Sequence, residues 1–393
     1  MTEQRNRPPQ PIYLDYQATT PCDPRVLDRM MPYFTTVFGN PHSADHRHGW
    51  AAEEAIDGAR GRIAALIGAK PREVVFTSGA TEANNLAIKG AARHRRTAEG
   101  RDRVVTLASE HKCVLESVAR LEREGFKTEV LPIRSDGMID LDRLSAALDA
   151  RVALVSVMAV NNEIGVIQPL AEIGARTRAV GAWFHTDAAQ GFGKIPLDVD
   201  AMGIDLMSIS GHKIYGPKGI GALYVRGRKP KVILEPLMDG GGQERGLRSG
   251  TLPTPLCVGL GAAAEIAGKE MAAEAARLKG LRDSLWERLR AARPTLSLNG
   301  DPEHRIEGNL NITVPGLESG ELLAALDGLS VSGGSACSSG AGAASHVLQA
   351  LGQDPGKVAA GLRIGLGRFT TATEIDAAVE LLLAAIPDRP KAG

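Results

Sequence analysis

From about residue 55 to residue 225 the sequence alternates short apolar runs with longer amphipathic ones, and few folds accept that rhythm. Residues 74–77 read as a strand, Gly79 as a turn and 82–92 as a helix. Residues 103–107 are again strand-like, and Val114, Leu115, Val118 and Leu121 recur at helical spacing. The pattern returns with a strand over 154–160 and a helix over 170–180. It returns again with 183–185 ahead of Asp187, and 206–209 and 221–225 supply two further strands. Such alternation describes an α/β fold with a mostly parallel central sheet, whose ligands gather at the carboxyl ends of its strands.

A long helical run from Pro255 to Arg290 then leaves this unit for a smaller one. There 309–314 reads as a strand, 320–326 as a helix, and 358–364 leads towards a helix at 373–385. A chain of 393 residues has room for two cores. The expected division is a large domain over 16–264, with 1–15 and 265–393 forming a smaller α+β domain.

Composition removes several classes of function. Lysines plus arginines number 46 and so do aspartates plus glutamates, so no net charge draws the chain to nucleic acid or an anionic membrane. Residues 1–11 are polar and rich in arginine and proline, unlike a signal peptide, and no apolar run is long enough to cross a bilayer. Cys22, Cys113, Cys257 and Cys337 show no metal-ligand spacing and are too few for a disulfide framework, which fits a reducing, cytoplasmic compartment. His42, His46 and His48 lie close together, but no cysteine or carboxylate pattern completes a metal site, and no metal is expected.

Two segments carry the chemistry. Lys213 stands in Ser210-Gly211-His212-Lys213-Ile214-Tyr215-Gly216, at the end of a strand, with Asp187 and Gln190 at the end of another. A lone Asp187 would read as a helix cap and a lone Lys213 as a surface lysine. Together they suit an aromatic cofactor: an aspartate keeps a pyridine nitrogen protonated, so that the ring draws electrons, while a lysine holds the cofactor as a Schiff base. A desolvated amine loses proton affinity and becomes the neutral nucleophile such exchange needs. Ser78-Gly79-Ala80-Thr81-Glu82 lies where a strand meets a helix, and the exposed N–H groups there, with the Thr81 hydroxyl, form a phosphate cradle. Ser210 and His212 add donors from the neighbouring strand end.

The second segment is Gly333-Gly334-Ser335-Ala336-Cys337-Ser338-Ser339-Gly340. Its small residues have little to bury, so the sequence predicts a mobile loop carrying a thiol. Cys22, Cys113 and Cys257 have turn-like or helical surroundings and are read as small apolar packing residues, although Cys113 stands two positions from His111.

The chain resembles the cysteine desulfurases, fold-type I pyridoxal-phosphate enzymes of the aminotransferase class V group, from about residue 12 to residue 386. The resemblance is carried by Tyr13-Leu14-Asp15, the segment 78–84, Asn161-Asn162-Glu163-Ile164-Gly165, the segments 210–221 and 245–251, and the surroundings of Cys337. It implies that Lys213 holds pyridoxal 5'-phosphate, Asp187 faces its ring nitrogen and Gln190 its ring hydroxyl. Ala80, Thr81, Ser210 and His212 would bind the phosphate. Thr251 would reach the phosphate held by the other subunit, which implies a homodimer. His111 would stack on the ring and move protons, Asn162 and Arg363 would hold the carboxylate of the substrate L-cysteine, and Cys337 would receive its sulfur.

The long glycine-rich context of Cys337 resembles the group that serves iron–sulfur cluster assembly, which implies a sulfur-acceptor or cluster-scaffold partner. Members of that group continue into an aromatic-bearing tail that helps hold the scaffold. Here 386–393 carry no such segment, a departure from the group's pattern that bears on scaffold docking and not on sulfur transfer itself. The implied reaction converts cysteine to alanine and leaves a persulfide on Cys337. An unperturbed thiol has a pKa of about 8.5, so a base such as His111 is useful to it near neutrality. The alternative readings are a selenocysteine lyase or a cysteine sulfinate desulfinase, which depend less on a protein thiol.

Overall fold

The computed structural model of the chain describes residues 11–333, 345–352 and 361–388. Its strands, in chain order, are β1 (Ile12–Tyr13), β2 (Val74–Thr77), β3 (Arg103–Leu107), β4 (Lys127–Leu131), β5 (Val152–Ser156), β6 (Trp183–Asp187), β7 (Leu206–Ser210), β8 (Gly221–Val225), β9 (Ser297–Leu298), β10 (Asn309–Thr313), β11 (Leu329–Ser330) and β12 (Gly361–Gly365).

Seven of them form the central sheet, in the order β2-β8-β7-β6-β5-β3-β4. All neighbours are parallel except β8, which runs antiparallel to both β2 and β7. The apolar runs are continuous because the sheet is covered on both faces. Successive side chains alternate between two apolar layers. Phe76, Val105, Val155, Phe184, Met207 and Tyr224 enter one layer; Val75, Val104, Leu154, Trp183, Leu206 and Leu223 enter the other. Helices Ala80–Glu99 and Lys112–Arg123 cover the second layer, while Arg47–Leu66 and the first half of Thr254–Ala292 cover the first. A Cβ on Gly261 would lie 2.6 Å from the Ala59 Cα, so that glycine lets the two covering helices meet backbone to backbone.

The helix Thr254–Ala292 spans 39 residues and two cores. Cys257, Leu260 and Ala263 pack under the central sheet. Leu278, Leu285 and Leu289 pack with the antiparallel sheet β12-β10-β9 and the helix Ala372–Ala385. The strand β12 overlaps the stretch 358–364, read from sequence only as leading towards a helix, and ends one residue beyond it. Read through to residue 160, the fifth strand instead ends at Ser156.

The segment after β1 ties the parts together. Asp15 bridges Gly365 of β12, the Gln17 amide donates to the Gly308 carbonyl at 3.0 Å, and Thr20 N–H donates to the His212 carbonyl at 3.0 Å. The chain between Asp15 and Thr20 is thereby pinned across the carboxyl edge of the central sheet. Among the described residues, no helix is long and apolar enough to cross a membrane.

Candidate active site

The ends of β2, β6 and β7 and the turn after β3 open on one cavity of about 490 Å³, at the strand edge where α/β folds gather ligands. Its wall includes Ala80, Thr81, His111, Asn162, Asp187, Gln190, Ser210, His212, Lys213 and Arg363. Every site residue expected from the sequence lines this space except Thr251 and Cys337. Thr251 is exposed and does not line the cavity, and Cys337 lies outside the described residues.

The helix Ala80–Glu99 starts at the rim. Gly79 occupies its N-cap with φ 157°, and no side chain caps the turn. The first N–H groups of an α-helix have no carbonyl within it, so here donors and the positive end of the helix dipole face the cavity. A Cβ on Gly79 would find nothing within 4 Å, which leaves the space in front of those donors open. Ser78 and Thr81 are therefore not caps, the ordinary reading of such residues.

Lys213 sits in a short 3₁₀ turn, Gly211–Lys213, directly after β7. Its Nζ donates to the Gln17 carbonyl at 2.5 Å and the Ala18 carbonyl at 2.7 Å. Tyr215, two residues on, has φ 64°, a conformation that costs a non-glycine residue roughly 1–2 kcal/mol. The Thr20 hydroxyl accepts its N–H at 2.9 Å, and the Phe369 ring meets its ring edge-on at 5.7 Å. Burial, and then the positive charge of Lys213, push the neighbouring His212 down to about 4, so its imidazole is neutral near pH 7. The His212 Nδ1 lies 3.0 Å from the Thr19 hydroxyl.

Asp187 ends β6, where its Oδ2 accepts from Asn84 Nδ2 at 2.7 Å and its Oδ1 from the Ala189 N–H at 2.9 Å. Gln190 donates through Nε2 to the Gln17 carbonyl at 2.8 Å, and its Oε1 accepts from Lys194 at 2.9 Å. Lys194 is partly buried: desolvation, and then the charge of Lys213, bring its amine down to about 7. His111 caps the helix Lys112–Arg123, its Nδ1 accepting the Cys113 N–H at 3.2 Å.

Arg363 reaches the cavity from β12. It is only 1% exposed, and it donates to the Asn162 carbonyl at 2.9 Å and to Asp15 at 2.8 Å. The Arg363 Nε and the Asn162 Oδ1 are buried without a protein partner, an arrangement that asks for a polar ligand.

Sequence reading missed the Gln17 and Ala18 carbonyls, Asn84, Lys194 and the Asp15 partner of Arg363. Asp15 and Asn84 stood in segments singled out beforehand, without a role assigned to either. Cys257, fully buried among apolar neighbours, does pack as expected, and burial raises its thiol far above the usual range. Cys113 packs against the second apolar layer as expected, but it also lines the cavity, with its sulfur 3.0 Å from His111 Nδ1.

These residues fit pyridoxal phosphate. The uncapped helix start, the Thr81 and Ser210 hydroxyls and neutral His212 suit a phosphate, Asp187 suits a protonated ring nitrogen, and Lys213 suits the aldehyde carbon. When bound, this group supplies an electron sink to the carbon that carries the substrate's amine.

The aminotransferase class-V model matches residues 12–378. The cysteine desulfurase IscS of Rickettsia bellii is 54% identical over 386 residues, covering 98% of this chain and 93% of that protein. A solved NifS-like protein superposes with a TM-score of 0.88 at 34% identity, covering 95% of this chain and 99% of that one. SspA, solved in complex with cysteine, superposes with a TM-score of 0.80 at 39% identity, covering 91% and 99%. The chain belongs to the aminotransferase class-V family of pyridoxal-phosphate-dependent enzymes and, within it, to the cysteine desulfurases.

Proposed function

We propose that the protein removes sulfur from L-cysteine, releases alanine, and hands the sulfur to an acceptor by way of Cys337. The observation that carries this reading is the convergence of Lys213, Asp187, His111, Asn162 and Arg363 on one cavity, from positions far apart in sequence.

The guanidinium of Arg363 and the side chain of Asn162 bind the substrate carboxylate. The Arg363 Nε–H is a buried donor without a protein partner, which a carboxylate satisfies, and Asn162 binds that carboxylate through its amide N–H. Asp15 neutralises part of the Arg363 charge and keeps the guanidinium pointed at the cavity. Lys213 removes the α-proton of the bound amino acid and returns it. The Gln17 and Ala18 carbonyls hold its Nζ until then. Asp187, fixed by Asn84 and the Ala189 N–H, holds a proton at the ring nitrogen. His111 carries a proton between thiol and solvent. The Cys337 thiolate takes the sulfur: an S–S bond forms as the substrate's Cβ–S bond breaks, the electron pair of that bond stays with the three-carbon remainder, and this takes a proton at Cβ and leaves as alanine.

The active assembly is a homodimer in which Thr251 serves the partner's phosphate site; its exposed position outside its own cavity supports that role. The large domain comprises 16–264, and 1–15 with 265–393 make the smaller one. The enzyme works in the cytoplasm and delivers sulfur to a cluster-scaffold or other acceptor protein.

Incubation with cysteine should yield alanine and a sulfur-bearing Cys337 peptide by mass spectrometry. Cys337→Ala should abolish that product while leaving the cofactor's visible absorbance nearly unchanged. Equal sulfide release by wild type and Cys337→Ala would defeat the proposal.

A further inference from the structure

Behind the cavity wall a line of polar atoms joins two residues that act on opposite sides of the chemistry. Asn84 is fully buried in the helix Ala80–Glu99. Its Nδ2 donates to Asp187 Oδ2 at 2.7 Å and to Cys113 Sγ at 3.1 Å. The Cys113 Sγ lies 3.0 Å from His111 Nδ1. The line therefore runs from Asp187 through Asn84 and Cys113 to His111, without a gap and without a charged lysine or arginine in it.

Its polarity follows from the end groups. An amide turned the other way would set its oxygen against the Asp187 carboxylate, so the nitrogen must face Asp187. One N–H then meets the carboxylate and the other meets the sulfur. The Asn84 Oδ1 is left buried with no partner, the cost of aiming both donors this way. Asn84 takes one lone pair of the sulfur, and the thiol's own hydrogen is directed to His111 Nδ1. That nitrogen already accepts the Cys113 N–H at 3.2 Å. Both contacts require Nδ1 to be an acceptor, so the neutral ring carries its proton on Nε2.

We infer that Cys113 and Asn84 are positioning residues that set the tautomer and orientation of His111 and couple it to Asp187. The thiol serves here as a hydrogen-bond relay and is not itself the sulfur acceptor. The inference rests on the reading of His111 as the proton carrier and Asp187 as the ring-nitrogen partner; the hydrogen-bond line itself can be tested without it.

The test has two arms, both on the full chain. In the first, iodoacetamide labelling of Cys113 is followed by peptide mass spectrometry, on the cofactor-loaded enzyme and on the same preparation stripped of cofactor, with folding checked by circular dichroism. His111→Phe removes the acceptor but keeps a ring, and Asn84→Leu removes the donor at similar volume. Each should slow Cys113 labelling about three- to tenfold in the stripped protein, the effect of losing one hydrogen bond. Rates unchanged by His111→Phe overturn the inference, even if Asn84→Leu fails to fold.

In the second arm, Cys113→Ala should lower kcat about three- to tenfold with KM for cysteine unchanged, and Cys113→Ser, whose hydroxyl can make both contacts, should restore it to within about twofold. In a His111→Phe background, Cys113→Ala should change nothing further. A purely structural role would give additive losses and no rescue by serine, which overturns the positioning role. Slowed labelling together with a kcat indifferent to Cys113 would keep the hydrogen-bond line and overturn the positioning role, whereas a kcat indifferent to His111→Phe would instead remove His111 from the chemistry.

Discussion

Lowering the pH should destabilise this enzyme through one buried imidazole. His185 sits inside the central sheet with no exposed surface, its Nδ1 2.8 Å from the Ser156 hydroxyl and its Nε2 3.0 Å from the Ser208 hydroxyl. Burial alone pushes its pKa down to about 3. The unfolded chain has an ordinary imidazole, near 6.5, so between these values the unfolded state binds a proton that the folded state refuses. Stability is therefore full above about pH 6.5 and is lost progressively as the pH falls towards the folded value.

At about pH 5 the unfolded imidazole lies about 1.5 units above the pH, which corresponds to about 2 kcal/mol at 1.36 kcal/mol per unit. With an unfolding entropy of about 2.1 cal/mol/K per residue, that amounts to a drop of about 2–3 °C in Tm for this chain. His185→Gln offers both serines a partner but cannot take up the proton. Thermal melts of the cofactor-loaded wild type and variant at about pH 7.5 and about pH 5 isolate the effect, because carboxylate contributions cancel in the difference. Wild type should lose the extra 2–3 °C on acidification. Equal acid sensitivity of the two proteins would show that His185 is not held neutral by the sheet, and the reasoning would fall.

Lys194 behaves in the opposite pH range: its amine is near 7 when folded and about 10.5 when unfolded, so stability should rise with pH between those values by up to about 1.4 kcal/mol per unit. Urea midpoints at about pH 7.5 and about pH 9 should show that slope in wild type and not in Lys194→Met; parallel curves would refute it. Arg363→Lys keeps the charge but cannot serve Asp15, the Asn162 carbonyl and a substrate carboxylate together, so KM for cysteine should rise about tenfold or more in steady-state kinetics while kcat falls less. A Cβ on Gly365 would lie 1.7 Å from the Gln17 Oε1 and 2.9 Å from the Tyr16 nitrogen, displacing the residue whose carbonyl holds Lys213. Gly365→Ala should cost about 1–3 kcal/mol in denaturant melts and lower desulfurase activity. Lys213→Ala should lose borohydride-trappable cofactor and at least about a hundredfold in turnover; retention of either would contradict its assignment.

The central sheet was legible because a strand buried on both faces writes itself as an unbroken apolar run, and six of the seven strands could be read that way. The seventh, Lys127–Leu131, escaped because it is an edge strand whose exposed positions carry Lys127, Glu129 and a half-exposed Val130. Helix extents were read to within a few residues for Leu170–Ala179 and Thr254–Ala292, where apolar spacing is regular and prolines mark the starts.

Asp187, Lys213 and the Ala80–Thr81 helix start could be named from sequence for the same reason: each closes a recognisable strand or opens a recognisable helix. What those groups hold on to was decided by the tertiary structure alone. Lys213 rests on carbonyls 196 and 195 positions away, and Arg363 pairs with Asp15 across 348. Cys113, read from sequence as a packing residue two positions from His111, joins His111 to Asp187 only because two helices dock on one face of the sheet. Local pattern records which side of an element is buried, since that depends on solvent exclusion along one segment. Pairing between elements depends on where each segment comes to lie against the others, and the spacing of residues along the chain carries no record of that distance.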